Sequence, residues 1–276
     1  MSPGYSTLFA MKTRIVAWEK SGFVMKENNK YLDHDECILK KNIAVGVDTC
    51  AIGYIRRYYM LTDEIRENPD AEGIRDRILA MLDSDRREKS EHIKAIAAKD
   101  ESLCAGLLLQ RSYDDYLRQP ETETDWIRIS PLNMLEMQRR GTFQTHQIGY
   151  RYGEKGKPYF AGIPLFFSLS HSDGKVILAV SDKEIGADIQ AVRKVFANRL
   201  VERFFSPDEK QEWKVMDEVQ RQEFFYRSWT RKEALGKLTG LGVNGYLEEN
   251  PFTQKEDIRW EEYRIEDAYV ALCIRV

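Results

Sequence analysis

Asp188 and Gln190 stand two residues apart in a mostly apolar stretch, Ile185 to Val192. If that stretch is a strand, positions i and i+2 share a face and project two oxygen-bearing side chains side by side. Glu233 and Lys237 stand four residues apart in FFYRSWTRKEALGKLTGLG, residues 224–242, one turn from each other on a helix. Asp188, Gln190 and Glu233 are hard oxygen donors of the kind Mg²⁺ takes, an ion that keeps several waters and commonly joins protein carboxylates to substrate phosphates. Ser170-His171-Ser172 follows a short apolar stretch and offers hydroxyls and an imidazole to phosphate oxygens. Lys157, in a Gly-Lys-Pro loop, and Lys237 are compact cations suited to phosphates. Each piece also has a plainer reading. Glu233 and Lys237 fit a surface pair worth about 0.2–0.5 kcal/mol, His171 a satisfied core histidine, Asp188 a turn cap and Lys157 a solvated lysine.

The elements that must position these groups can be read from the pattern. Residues 224–238 are rich in helix formers, and Gly240 follows where a helix wants a residue free to take positive φ. Phe225, Trp229, Glu233 and Lys237 line one side of this helix, and Phe224, Arg231, Leu235 and Leu238 another. Strands are expected over 165–169, 176–181 and 185–190, with SHSDG as a turn after the first. Ser206-Pro207-Asp208-Glu209 is a capping box that opens a helix. Residues 258–265 and 269–276 read as two closing strands.

Upstream, residues 54–61 predict a strand, and Ile74, Ile78 and Leu82 predict an amphipathic helix over 70–82. A helix pair follows from residue 83, whose charged start crowds Arg86, Arg87 and Lys89 into a solvated face or a cationic rim. Residues 112–145 look like a polar insertion with a short helix opened by Ser130 and Pro131. Residues 147–152 suit a strand. GEKGKPYFAGIP, residues 153–164, concentrates Gly and Pro and reads as a loop between two lobes. Strands and helices mix without a βαβ rhythm, which predicts an α+β fold. The expected division is an N-terminal extension of unknown role (1–53), an N-terminal lobe (54–161) and a C-terminal lobe carrying the metal site (162–276).

Composition excludes several classes. Basic and acidic residues nearly cancel, 42 against 45 over 276 residues, so the chain as a whole does not invite nucleic acid. The four cysteines show no zinc spacing and read as reduced thiols. Asp33-His34-Asp35-Glu36 reads as a solvated turn, since consecutive residues do not converge on one ion. With no apolar run of membrane-spanning length and no secretory signal, a cytoplasmic protein is the expectation. A P-loop is absent, and Ser170 with His171 lacks the G-x-S-x-G elbow of a hydrolase.

In order, the chain reads GKPYF, FSLSHSDG, IGADIQAVR, RFFSPDE and FFYRSWTRKEALGKLTGLG. With these motifs it resembles the surfactin-type 4'-phosphopantetheinyl transferases, most strongly over residues 156–242 and more weakly back to Tyr54. The resemblance implies two similar, pseudo-twofold lobes, each a small, mostly antiparallel sheet packed with helices, with the active site in the cleft between them. It implies a monomer that moves the phosphopantetheine arm of coenzyme A to a serine of an apo acyl or peptidyl carrier protein and releases adenosine 3',5'-bisphosphate. Fatty acid, polyketide and nonribosomal peptide synthesis all use such carriers. Carried over by position, Asp188, Gln190 and Glu233 would hold Mg²⁺, and Lys237 would contact the pyrophosphate. Lys157, Ser170 and His171 would hold phosphates of coenzyme A. Arg86, Lys89 and Ser102 would lie near its 3'-phosphate. Asp188, Glu233 and Lys237 would carry the chemistry, with Lys232 in support.

Two departures stand out. Gln190 occupies a position where the family often has glutamate, which implies a higher Mg²⁺ requirement. Glu101 precedes Ser102 where the family tends to place a basic residue. The rival reading is a non-catalytic homologue that binds coenzyme A or a carrier protein. The insertion at 112–145 is expected to tune carrier choice.

Overall fold

The computed structural model describes residues 53–118, 125–193, 198–246 and 249–276. The N-terminal extension therefore lies outside the described residues, apart from Gly53. The described residues all fall within one compact unit, Cys37–Val276. The elements run β1 (Ile55–Leu61), α1 (Asp63–Arg66), α2 (Ala71–Met81), α3 (Ser84–Glu91), α4 (Ile96–Arg118), β2 (Trp126–Arg128), α5 (Pro131–Arg139), β3 (Tyr150–Tyr152), β4 (Pro158–Phe160), β5 (Phe166–Ser172), β6 (Lys175–Ser181) and β7 (Ile185–Ala191). There follow α6 (Asn198–Phe204), α7 (Pro207–Val215), α8 (Glu218–Thr239), a 3₁₀ turn (Val243–Tyr246), β8 (Ile258–Ile265) and β9 (Ala268–Arg275).

Among the described residues the strands form three small sheets, ordered β2-β1-β6-β5, β3-β4 and β7-β9-β8. Only the β1–β2 pair is parallel among the described residues. The chain is thus α+β, with mostly antiparallel sheets packed against helices. The first sheet joins β1, from the upstream part of the chain, to β5 and β6, from the downstream part.

The strict two-residue period of the strands sorts side chains into layers. Tyr58, Met60 and Leu178 pack with Ile74, Ile78, Leu103 and Leu107 beneath α2 and α4. Their neighbours Tyr59, Ile177 and Ala179 face the other way and meet Ile185, Ile189, Val270 and Leu272 of the three-stranded sheet. Ala271 and Cys273, on the far face of β9, pack against Ala234, Leu235 and Leu238 of α8. Each large aliphatic side chain buried this way contributes about 1.5–3 kcal/mol.

The facing edges of two sheets are sewn by serines. Ser168 Oγ accepts from the Ala187 amide at 2.9 Å, and Ser172 Oγ from the Ala191 amide at 3.1 Å. Ser170 bonds Asp188 between them. These alternate residues of β5 share one face, directed at β7. Ser170-His171-Ser172 therefore lies within β5 rather than in a turn, which corrects the sequence reading. The turn is Asp173-Gly174, both at positive φ (52° and 76°), and the seven-residue register of β5 against β6 carries the strand up to it.

One other expectation is corrected. Pro158–Phe160, inside the stretch read as a loop, is a strand paired with β3. The described residues of 112–145 pack into the fold: α4 continues to Arg118, Trp126 is buried, and β2 extends the first sheet. Within that segment, Ser130 caps α5 by accepting from the Asn133 amide at 3.1 Å, with Pro131 in the first turn, as the sequence predicts.

Candidate active site

Odd residues of β7 enter the intersheet core, so Gly186, Asp188 and Gln190 take the opposite face, against α8. The approach of strand and helix is close: a Cβ on Gly186 would lie 2.1 Å from the Ala234 carbonyl oxygen. Any larger residue there would push α8 away from Asp188. The helix itself is longer than the sequence reading had it. It starts at Glu218, where Asp217 accepts from the Gln220 amide and Gln220 accepts from the Asp217 amide, a capping box. It stops at Gly240, whose φ of 74° is the left-handed cap.

This packing brings three predicted residues into one triangle. Lys237 Nζ lies 2.7 Å from both Ser170 Oγ and Asp188 Oδ1. Ser170 Oγ donates to the same Asp188 oxygen at 2.7 Å. Asp188 is 5% exposed, and its other oxygen, Oδ2, is buried with no hydrogen-bond partner among the described residues. Glu233 sits one turn before Lys237, half-buried. Burial, and then the negative charge of Asp188, raise its carboxyl above the ordinary glutamate value, with Lys237 opposing. A paired, oriented carboxylate with one orphaned oxygen, beside a second carboxylate that feels its charge, is a donor set a cation would relieve. Gln190 flanks it on the same strand face, with Nε2 3.4 Å from Ser172 Oγ. Among the described residues no three His, Cys, Asp or Glu side chains converge as a metal site, so a third protein donor here would be the neutral Gln190.

Lys237 also lines a cleft of about 510 Å³ whose walls carry Arg86, Lys89, Lys155 and Lys157, against one acid, Asp85. Arg86 and Lys89 come from α3. Asp83 fixes that helix by accepting from the Arg86 amide at 3.0 Å and from Tyr150 Oη at 2.9 Å. Arg86 Nη2 donates to the Ser102 carbonyl at 3.0 Å, and Ser102 Oγ shares a buried 2.9 Å hydrogen bond with Ser90. Ser102 thus braces Arg86 from behind and does not line the cleft. Burial lowers the guanidinium of Arg86; partial desolvation by the cleft wall, then repulsion from Arg86, lowers the ammonium of Lys89 although its side chain reaches the surface.

His171, exposed on β5, lies 2.9 Å through Nδ1 from Glu101 Oε2, and the Gly174 amide donates to Glu101 Oε1 at 2.9 Å. Burial works against the Glu101 carboxylate, but the hydrogen bonds from His171 and Gly174 hold it below its ordinary value. The unexpected acid is therefore a clip between α4 and the β5–β6 turn. Lys155 was missed by sequence reasoning, although its place two residues before Lys157 in a short loop was a signal.

Lys157 Nζ donates to the Ile185 carbonyl at 2.7 Å and the Leu238 carbonyl at 3.2 Å, which ties the Gly-Lys-Pro loop to the end of α8. Burial lowers its ammonium from 10.5 to about 8. Between those values the unfolded chain binds more protons than the folded one, so this group makes stability rise as pH climbs. A neutral amine still donates to both carbonyls. Urea unfolding of wild type and Lys157→Met should therefore show the wild-type advantage growing from about pH 7.5 to about pH 10. A pH-independent difference would count against a buried, depressed Lys157.

Lys232, next to Glu233, is fully buried. Its Nζ meets Glu209 Oε2 at 2.7 Å and the Phe204 carbonyl at 2.8 Å. Glu209 is also the glutamate of the predicted box on α7, accepting from the Ser206 amide at 2.7 Å. Burial pushes the Lys232 ammonium down, with Glu209 opposing.

Residues 184–271, from β7 to the middle of β9, match the model of the 4'-phosphopantetheinyl transferase superfamily. The chain is 38% identical to the 4'-phosphopantetheinyl transferase psf-1 of Bacillus pumilus, over 36% of this chain and 42% of that one. It is 37% identical to the 4'-phosphopantetheinyl transferase AcpT of Escherichia coli K12, over 44% of this chain and 64% of the relative. Against the 4'-phosphopantetheinyl transferase HetI of a Nostoc species, identity is 37% over 35% of this chain and 44% of the relative. The aligned region spans about half the length of these relatives. From the motifs, the family model and the relatives together, it is the 4'-phosphopantetheinyl transferase superfamily that this chain is similar to.

Proposed function

We propose that this chain transfers the 4'-phosphopantetheine arm of coenzyme A to a serine of an apo carrier protein. The observation that carries the reading is the Lys237–Ser170–Asp188 triangle at a cleft lined by cations. Coenzyme A carries a pyrophosphate and a 3'-phosphate, and a wall of lysine and arginine suits both. The cleft is read as lying between two related lobes, 54–161 and 162–276, in a monomeric cytoplasmic enzyme. Residues 112–145, part of the first lobe, are read as influencing carrier choice.

The serine oxygen of the carrier forms a bond to the β-phosphorus as the bond from that phosphorus to the bridging oxygen breaks. Adenosine 3',5'-bisphosphate leaves with the bridging oxygen. Such chemistry asks chiefly for positioning and charge neutralisation. Lys237, held in place by Asp188 and Ser170, stabilises charge on the pyrophosphate. The serine proton needs an acceptor, and the Glu233 carboxylate is the candidate among these residues. Asp188, Gln190 and Glu233 would hold Mg²⁺, which when bound supplies further neutralisation at the pyrophosphate.

The test is intact mass of a panel of apo carrier proteins after incubation with the enzyme, coenzyme A and Mg²⁺. Gain of one phosphopantetheine arm is expected. No gain on any carrier, with coenzyme A still bound, would favour the non-catalytic reading. Because Gln190 brings no charge, Gln190→Glu should lower the Mg²⁺ concentration for half-maximal activity several-fold; an unchanged value would remove Gln190 from the metal site.

A further inference from the structure

Five cations line the cleft, but they are not equally available to a ligand. Lys157 spends its ammonium on the Ile185 and Leu238 carbonyls. Arg86 is engaged with Ser102, and Lys237 with Ser170 and Asp188. Lys89 and Lys155 are exposed and make no hydrogen bond or ion pair with another described residue. They come from different parts of the chain, α3 and the β3–β4 turn.

The stem of Lys155 has a defined course. A Cβ built on Gly240 would lie 3.0 Å from Lys155 Cβ and 3.6 Å from its Cδ. The side chain therefore runs along the left-handed cap that ends α8, one turn beyond Lys237. A bare glycine there leaves room for an aliphatic stem whose charged end stays in water. The turn that carries Lys155 is closed by the Gly153 amide on the Lys157 carbonyl at 2.9 Å and the Gly156 amide on the Gly153 carbonyl at 2.8 Å. It is anchored to α8 by Lys157. The two lysines divide the work: Lys157 fixes the turn, and Lys155 presents a free charge to the cleft.

We propose that Lys155 is a ligand-contacting residue that holds a phosphate of the co-substrate, whereas Lys157 is a positioning residue. The proposal rests on the reading of the cleft as a coenzyme A site. A protein-bonded Lys157 offers little to an incoming phosphate, because its donors already point at two carbonyls. A free ammonium on an ordered stem forms a charge-assisted hydrogen bond on arrival.

The experiment is titration calorimetry of coenzyme A and of 3'-dephospho-coenzyme A into wild type, Lys155→Met, Lys155→Arg and Lys157→Met at two salt concentrations. Lys155→Met should weaken coenzyme A binding by about tenfold, the effect of one charged hydrogen bond. It should leave the unfolding temperature unchanged. Lys155→Arg should restore most of the affinity, and the gap between wild type and Lys155→Met should narrow at high salt. The same loss with 3'-dephospho-coenzyme A assigns the contact to the pyrophosphate, and loss confined to coenzyme A assigns it to the 3'-phosphate. Lys157→Met should lower the unfolding temperature. Wild-type affinity in Lys155→Met would overturn the assignment of Lys155 while leaving the reading of the cleft intact. No binding of either ligand by the wild type would overturn both.

Discussion

Asp188→Ala is expected to leave a folded protein that modifies apo carrier protein at least about a thousandfold more slowly than wild type, the scale for loss of preorganised charge stabilisation at a reacting centre. Two functions meet in this carboxylate. Its Oδ1 holds Lys237 and Ser170 at 2.7 Å each. Its Oδ2 is buried without a partner among the described residues, the place where a cation would be held. Truncation removes both at once. The fold should tolerate it, because the Lys237 side chain is 31% exposed and can turn to water. Asp188→Asn separates charge from shape, since the amide oxygen can still accept from Lys237 and Ser170 while the negative charge is gone. Single-turnover rates of carrier modification, with circular dichroism as the folding check, decide the matter. Asp188→Asn within tenfold of wild type would mean that the charge of Asp188 is not used.

The second large effect concerns stability. Glu209→Ala should lower the unfolding free energy by about 3–5 kcal/mol, the cost of leaving one member of a buried ion pair uncompensated. Lys232 and Glu209 side chains are both 0% exposed, so water cannot take over the partner's role. The same glutamate closes the box at the start of α7, which adds about 1 kcal/mol. For a chain of this size the unfolding temperature should fall by about 10 °C or more. The double variant Glu209→Met with Lys232→Met should recover much of the loss, because a well-packed apolar pair can replace a buried ion pair. Thermal and urea unfolding of the three proteins check this. A drop of under about 3 °C in Glu209→Ala would show that water reaches the pair. Lys232 directly precedes Glu233, so slack here should also reach the carboxylate beside Asp188.

Much of the site's scaffold was legible because it rests on local rules. Period two put Asp188 and Gln190 on one face of β7, and helical spacing put Glu233 and Lys237 one turn apart on α8. Ser206 with Glu209, Ser130 with Pro131, and Gly240 marked helix ends through contacts a few residues long. The start of α8 was missed although Asp217 and Gln220 follow the same logic with glutamine in place of glutamate. SHSDG was misread because its small polar residues resemble a turn, while the pairing of β5 with β6 carries the strand to Ser172.

By itself, then, the sequence determined the α+β class, the face each reactive side chain occupies on its own element, and the motif order by which the chain resembles its relatives. These depend on backbone periodicity and capping, which a chain carries locally. Only the tertiary structure decided what each group bonds to. It turned the β5 serines onto β7, spent Lys157 on two carbonyls, closed Glu101 onto His171, and buried Lys232 against Glu209. It also left Lys155 on the cleft wall without a hydrogen-bond partner among the described residues. Such partners lie tens of residues apart. Their pairing is set by the cost of burying a polar group without one, which is settled only when helices and sheets meet.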